Sequence, residues 1–214
     1  VLDLCRRIAA VATPGLVVVD MSTIASTSAI EAAEILRAAG GDFIDAPVSG
    51  GVEGAKNGKL SVMAGGEATT LERVRPVLAR FAARITHMGD TGSGQATKAV
   101  NQVLVAGINE AVCEGLALGE KLGLDPAKLL PTLMAGAAAN WFLDKRGATM
   151  LAGQFTPGFK CAHLLKDLTI VQGMANDVGL HSSVIEMARD HYAQLVLRGE
   201  ADSDTSALIL LKRG

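Results

Sequence analysis

The chain has 214 residues, 49% hydrophobic and 20% charged, with 20 basic and 22 acidic side chains and a formal net charge of −2. That balance suits one large or two small globular domains, and it excludes a disordered chain or a nucleic-acid binder, since no basic run exceeds Lys212-Arg213. No apolar run reaches about 18 residues without a charge or a helix breaker, and Asp3, Arg6 and Arg7 stand where a signal-peptide core would be, so no membrane partner is expected and the expected compartment is the cytosol.

In chain order, residues 2 to 12 read as a short helix ending at Pro14-Gly15. Leu16 to Asp20 is a continuous apolar run closing on an acid, the pattern of a strand buried in a parallel sheet. Ser22 or Thr23 can cap a helix that runs to Ala39 and stops at Gly40-Gly41. Phe43 to Pro47 reads as the next strand and leads into the small-residue loop Val48-Ser49-Gly50-Gly51. Two such loops after neighbouring strands define a ligand crevice in an open α/β sheet. A polar stretch (53 to 58) precedes a strand from Lys59 to Ala64, a helix from Leu71 to Ala82 capped by Thr69 or Thr70, and a strand from Arg84 to Met88. The first 88 residues thus alternate strand and helix, as the latter half of a doubly wound sheet does.

The texture changes at Gly89-Asp-Thr-Gly92-Ser-Gly94, which reads as a glycine hinge able to approach a ligand, followed by a helix from about Gln95 to Leu122. Lys98 falls in the first turn, and Lys98, Asn101 and Gln102 share a face at spacings of three and four, on a helix otherwise apolar and expected to be buried. A lysine at the start of a buried helix is unusual, which makes Lys98 a candidate functional group. Helical patterns continue over 125–135 (Asp125 as N-cap, Pro126 at the first position), 140–151, 163–178, 184–197 and 204–211. The expected organisation is therefore an α/β domain over 1–93 and an all-helical domain over 94–214. Lys166-Asp167 admits two readings, a pair on a solvated face or a positive charge aimed at an anionic cofactor. Trp141, the only tryptophan, reads as a packing residue rather than a site residue. Cys5, Cys113 and Cys161 form no Cys-x-x-Cys pair and the four histidines lack ligand spacing, so no metal site is expected.

Four ordered motifs carry a resemblance: Asp20-Met-Ser-Thr23; Asp45-Ala-Pro-Val-Ser49-Gly50-Gly51 with Gly54-Ala55 and Gly58; Gly89-x-x-Gly-x-Gly-x-x-x-Lys98-x-x-Asn101; and Lys166-Asp167-Leu168. Together they resemble the β-hydroxyacid dehydrogenases over essentially the whole chain. The resemblance implies a partial Rossmann domain, the second half of its sheet, followed by an all-α domain like the C-terminal domain of 6-phosphogluconate dehydrogenase. It implies an NAD- or NADP-dependent oxidoreductase that interconverts a small β-hydroxy acid and its semialdehyde, of 3-hydroxyisobutyrate or 2-hydroxy-3-oxopropionate type, and assembles as a homodimer or homotetramer. By the same resemblance Lys98 is the catalytic lysine, Ser49, Gly50, Gly51 and Asn101 bind substrate, and Thr23 and Lys166 contact the cofactor. Gln102 and Pro157-Gly158-Phe159-Lys160 lean toward the 2-hydroxy-3-oxopropionate side.

One departure stands out. The family's opening Gly-x-Gly-x-x-Gly fingerprint, which seats the dinucleotide pyrophosphate at a helix N-terminus, does not occur in this sequence. The expectation is that these 214 residues alone turn over no substrate. Two classes compete, a dehydrogenase represented by part of its chain and a non-catalytic remnant serving association or acid binding.

Overall fold

A computed structural model describes residues 1–214 and divides into two compact units, Val1–Asn101 and Gln102–Gly214. The first unit holds α1 (Leu2–Ala9), β1 (Val17–Asp20), α2 (Ser26–Ala38), β2 (Asp42–Asp45), β3 (Val48–Ser49), α3 (Gly51–Lys56), β4 (Leu60–Gly65), α4 (Ala68–Leu78) and β5 (Ala82–Gly89). Helix α5 (Ser93–Lys121) crosses the division. The second unit continues with α6 (Pro126–Met134), α7 (Trp141–Leu151), α8 (Cys161–Asp177), α9 (Ser183–Leu197), a 3-10 turn (Thr205–Leu208) and α10 (Ile209–Arg213).

The sheet is mixed. β1 and β2 are parallel, β4 and β5 are parallel, and β4 runs antiparallel to β2 and β3. Asp45 opposes Gly65, Val48 opposes Val62 and Ser49 opposes Ser61, a constant register. β2 and β3 are therefore one arm along the edge of β4, broken at Ala46-Pro47, where Pro47 has no N–H to give but its carbonyl still accepts from Met63 N–H at 3.0 Å. Alternation along the strands splits the apolar residues between two faces. Ile44, Leu60, Val62 and Ala64 pack with Leu71 and Leu78 of α4. Phe43 packs on the other face with Cys5 of α1 and with Ala29, Ala32, Ala33 and Leu36 of α2. Each fully buried Leu or Ile contributes roughly 1.5–3 kcal/mol.

Several boundaries differ from those expected. α2 starts at Ser26 with Ala25 as N-cap, not at Ser22 or Thr23, because backbone groups of the 22–24 segment bond a side chain of α5 instead. The polar stretch after Gly50 is helix α3, and Val48–Ser49 is strand rather than loop.

In the second unit, Asp125 Oδ1 accepts from Ala127 N–H at 2.9 Å and Asn140 Oδ1 from Leu143 N–H at 2.9 Å, which fixes the starts of α6 and α7. Tyr192, fully buried, donates its hydroxyl to Thr205 O and accepts from Asn109 Nδ2, both at 2.9 Å. Asp204, 1% exposed, gathers the loop ahead of α8: its carboxylate accepts from Gly158 N–H (2.8 Å), Phe159 N–H (3.2 Å), Ser206 Oγ (2.7 Å) and Arg146 Nε (3.2 Å).

Helix α5 is not buried all round, as its composition suggested. Val100 (62% exposed), Leu104 (62%) and Ile108 (38%) form an apolar stripe at four-residue spacing on its open side. Its buried side is partly polar, with Gln95, Lys98, Gln102, Asn109 and Glu110 each under a tenth exposed.

Candidate active site

Lys98 is 7% exposed, and its ammonium donates to the carbonyl of Val48 at 2.9 Å. Val48 directly precedes Ser49-Gly50-Gly51, so the amine lies beside the loop that the sequence singles out. Gly50 (φ 127°) and Gly51 (φ 60°) take left-handed backbone conformations that side-chain-bearing residues rarely adopt, which explains two consecutive glycines where the strand arm turns into α3. Asn101 follows Lys98 by three residues and lies on the same face of α5.

The start of α5 is held from outside the helix. Asp45, fully buried at the end of β2, accepts from Gly92 N–H through Oδ1 at 2.8 Å and from Gln95 N–H through Oδ2 at 2.9 Å. Burial pushes its carboxyl above the ordinary value of 3.8, and the N–H groups of Gly92 and Gln95 pull the other way. Close backbone approach makes room for this contact. A Cβ at Gly65 would stand 2.5 Å from Asp45 Oδ1, and one at Gly94 would run into Met63 O and sit 2.8 Å from Asp45 O. Gly94 lies within the helix and serves packing against the chain itself, which corrects its reading as a hinge glycine approaching a ligand; Gly89 and Gly92 do take positive φ.

Gln95, 1% exposed, donates through Nε2 to Ser22 O at 2.9 Å and accepts through Oε1 from Ile24 N–H at 3.1 Å. It pins both neighbours of Thr23, so the loop after β1 is fixed to the first turn of α5. Asp20 and Asp45 are partners in the parallel register, which sets the carboxyl ends of β1 and β2 side by side. Asp45 opens one of the four motifs and Gln95 the expected helix, but the sequence assigns neither a role. An acid closing a strand and an amide opening a helix are common, and only the fold brings them together.

In the second unit, Asp167 (3% exposed) accepts from Gln102 Nε2 at 2.7 Å and pairs with Lys166 Nζ at 2.8 Å. Gln102 thus braces Asp167 rather than standing free beside Asn101. Lys166 keeps a side chain 52% exposed, with its neighbour Asp167 as one partner. Trp141 is 54% exposed rather than packed in the core, with the Arg146 guanidinium 5.6 Å from its ring centroid. No cluster of His, Cys, Asp and Glu capable of holding a metal is present, and no helix is long and apolar enough to cross a membrane.

The chain is a mixed α/β unit followed by a helical unit, with a buried lysine beside a glycine turn at the strand ends. Comparison with known proteins narrows the class. Residues 92–211 match the family described as NAD-binding of NADP-dependent 3-hydroxyisobutyrate dehydrogenase, and residues 1–89 match the NAD binding domain of 6-phosphogluconate dehydrogenase. An uncharacterized oxidoreductase of Synechocystis sp. is 39% identical, over 94% of this chain and 69% of that protein. The 2-hydroxy-3-oxopropionate reductase of Escherichia coli is 37% identical, over 91% of this chain and 67% of that protein. Among solved structures, the Mycobacterium tuberculosis 3-hydroxyisobutyrate dehydrogenase, determined with L-serine, superposes with a TM-score of 0.87 at 33% identity, covering 99% of this chain and 76% of that one. The chain belongs to the 3-hydroxyisobutyrate dehydrogenase family of NAD(P)-dependent oxidoreductases.

Proposed function

We propose that this chain carries the substrate-handling part of an NAD(P)-dependent dehydrogenase that interconverts a small β-hydroxy acid and its semialdehyde, of the 3-hydroxyisobutyrate or 2-hydroxy-3-oxopropionate type. The observation that carries the reading is the buried Lys98 amine, 2.9 Å from Val48 O and adjoining Ser49-Gly50-Gly51.

Lys98 acts as the general acid and base. In the reducing direction negative charge develops on the carbonyl oxygen, and the ammonium stabilises that charge and delivers the proton; in the oxidising direction the amine removes it. Ser49, Gly50 and Gly51 receive the substrate carboxylate, where a bulkier side chain would obstruct it. Asn101, one helical turn beyond Lys98, orients the substrate through its amide. Thr23 and Lys166 contact the cofactor.

When bound, the nicotinamide supplies or accepts the hydride. The residues present fit its nicotinamide end: Asp20 Oδ2, at the carboxyl end of β1, is a buried acceptor with no hydrogen-bond partner, and the adjacent Thr23 loop is fixed by Gln95. This is the edge at which open α/β sheets take nucleotides. The homologues' names support both substrate types, and Gln102 leans the choice toward 2-hydroxy-3-oxopropionate.

The exposed stripe of α5 supports assembly as a homodimer or homotetramer, as does an apolar groove in the second unit lined by Leu118, Leu122, Leu124, Leu129 and Leu133. A spectrophotometric screen of the full-length gene product with both cofactors against several β-hydroxy acids and semialdehydes tests the reading. Turnover of one of these pairs supports it; no turnover with either cofactor favours the non-catalytic alternative.

A further inference from the structure

We propose that Asp45 is a positioning residue for Lys98: by capping the first turn of α5 from outside the helix, it fixes where the Lys98 amine stands relative to Ser49-Gly50-Gly51. The inference rests on the reading of Lys98 as the proton-transfer group.

The geometry has two rungs. On the β2–β3 arm, the Asp45 carboxylate holds Gly92 and Gln95 N–H, and three residues on, the Val48 carbonyl holds the Lys98 ammonium. On α5 the held positions, Gln95 and Lys98, are also three apart and share a face. Arm and helix therefore move together. The arm carrying the substrate loop cannot shift without pulling the lysine, and the helix cannot turn without breaking the cap.

The Asp45 carboxylate also takes up N–H groups at the positive end of a 29-residue helix, so that end is closed to a substrate or cofactor anion. An asparagine could accept one of the two bonds but would aim its own N–H₂ at the other donor. Nothing in the packing requires a charge there. Gly65 and Gly94, which both abut Asp45, keep the carboxylate between two strand ends and the helix. Burial of the carboxylate costs desolvation, which the two backbone N–H groups offset.

Asp45→Asn in the full-length protein tests this, alongside Lys98→Met. The expected result is a fall in kcat per folded molecule of about tenfold or more with KM for the acid within about threefold, since a displaced acid–base group is lost in the transition state rather than in binding. A second readout needs no turnover: in the 214-residue chain made with ε-13C lysine, the Lys98 ε-carbon signal moves toward that of a free lysine in Asp45→Asn, because a loosened helix start no longer holds the amine against Val48 O. Wild-type kcat per folded molecule, or an unmoved Lys98 ε-carbon signal, overturns the proposal. If Asp45→Asn fails to melt cooperatively, Asp45→Ser, which retains one oxygen acceptor, carries the same two readouts, and failure of both to fold makes Asp45 a folding determinant only and overturns it. Should Lys98→Met itself keep full activity, the reading of the site has failed instead; loss in Lys98→Met with wild-type behaviour in Asp45→Asn sinks only the positioning role.

Discussion

The ammonium of Lys98 donates to the carbonyl of Val48, 50 residues earlier in the chain, at 2.9 Å, and this bond joins the third strand to the second turn of α5. It fastens the proposed proton-transfer group to the backbone that leads into the proposed substrate loop. A surface lysine would have no reason to be 7% exposed beside a pair of left-handed glycines.

Gln95 makes a separate link, from α5 to both sides of Thr23. Replacing it with leucine leaves Ser22 O and Ile24 N–H without partners and should cost about 1–3 kcal/mol in stability. The freed loop should also raise KM for the nicotinamide cofactor more than KM for the acid, as steady-state kinetics with each varied in turn will show. Equal effects on both would place the Gln95 contribution in folding alone.

Two glycine-to-alanine changes inside helices should have opposite signs. At Gly94 the added methyl meets Met63 O and Asp45 O, so melting should report a loss of about 3 kcal/mol or more. At Gly173, inside α8, nothing lies within 4 Å of the new atom, and alanine should stabilise by about 0.5–1 kcal/mol.

Asp45 gives a pH signature. Its folded pKa lies above the unfolded value, so the native state holds the proton more tightly, and the stability this contributes is present below the ordinary carboxylate value and is lost as pH rises through the folded value. Melting temperatures of wild type and Asp45→Asn, followed from about pH 3.8 upward through that window, should therefore differ by a pH-dependent amount, the wild type losing ground as pH rises. A constant difference across the window would contradict the raised value.

Asp204 anchors the loop from Gly158 to Lys160 and pairs with Arg146 in a site 1% exposed. Removing the carboxylate in Asp204→Ala takes one partner from a partly buried guanidinium and leaves several buried N–H groups unpaired, and should cost about 3 kcal/mol by denaturant unfolding.

Much of this was legible in the sequence, and unevenly so. The Asp125 cap is legible because its partner lies two residues away, whereas Asn140 reads as the first residue of its helix and is its cap. Ser22 and Thr23 looked like equally good caps and are not, because Gln95, more than 70 residues on, claims the backbone around them. Lys98 stood out by its rarity on an apolar helix. Asp45 did not, since its role depends on a meeting of strand end and helix start that no local pattern encodes. The apolar stripe on α5 reads as core in the sequence because composition reports apolarity and not what covers it. The antiparallel pairing of the β2–β3 arm with β4 is illegible for a similar reason: a short strand interrupted at Ala46-Pro47 reads as strand and loop.

The central claim is tested most directly by kcat for Lys98→Met in the full-length protein, compared with wild type at saturating cofactor. Loss of general acid–base catalysis predicts a fall of about 10²–10⁴ with KM for the acid changed little. A Lys98→Met protein turning over within a few-fold of wild type would contradict the account.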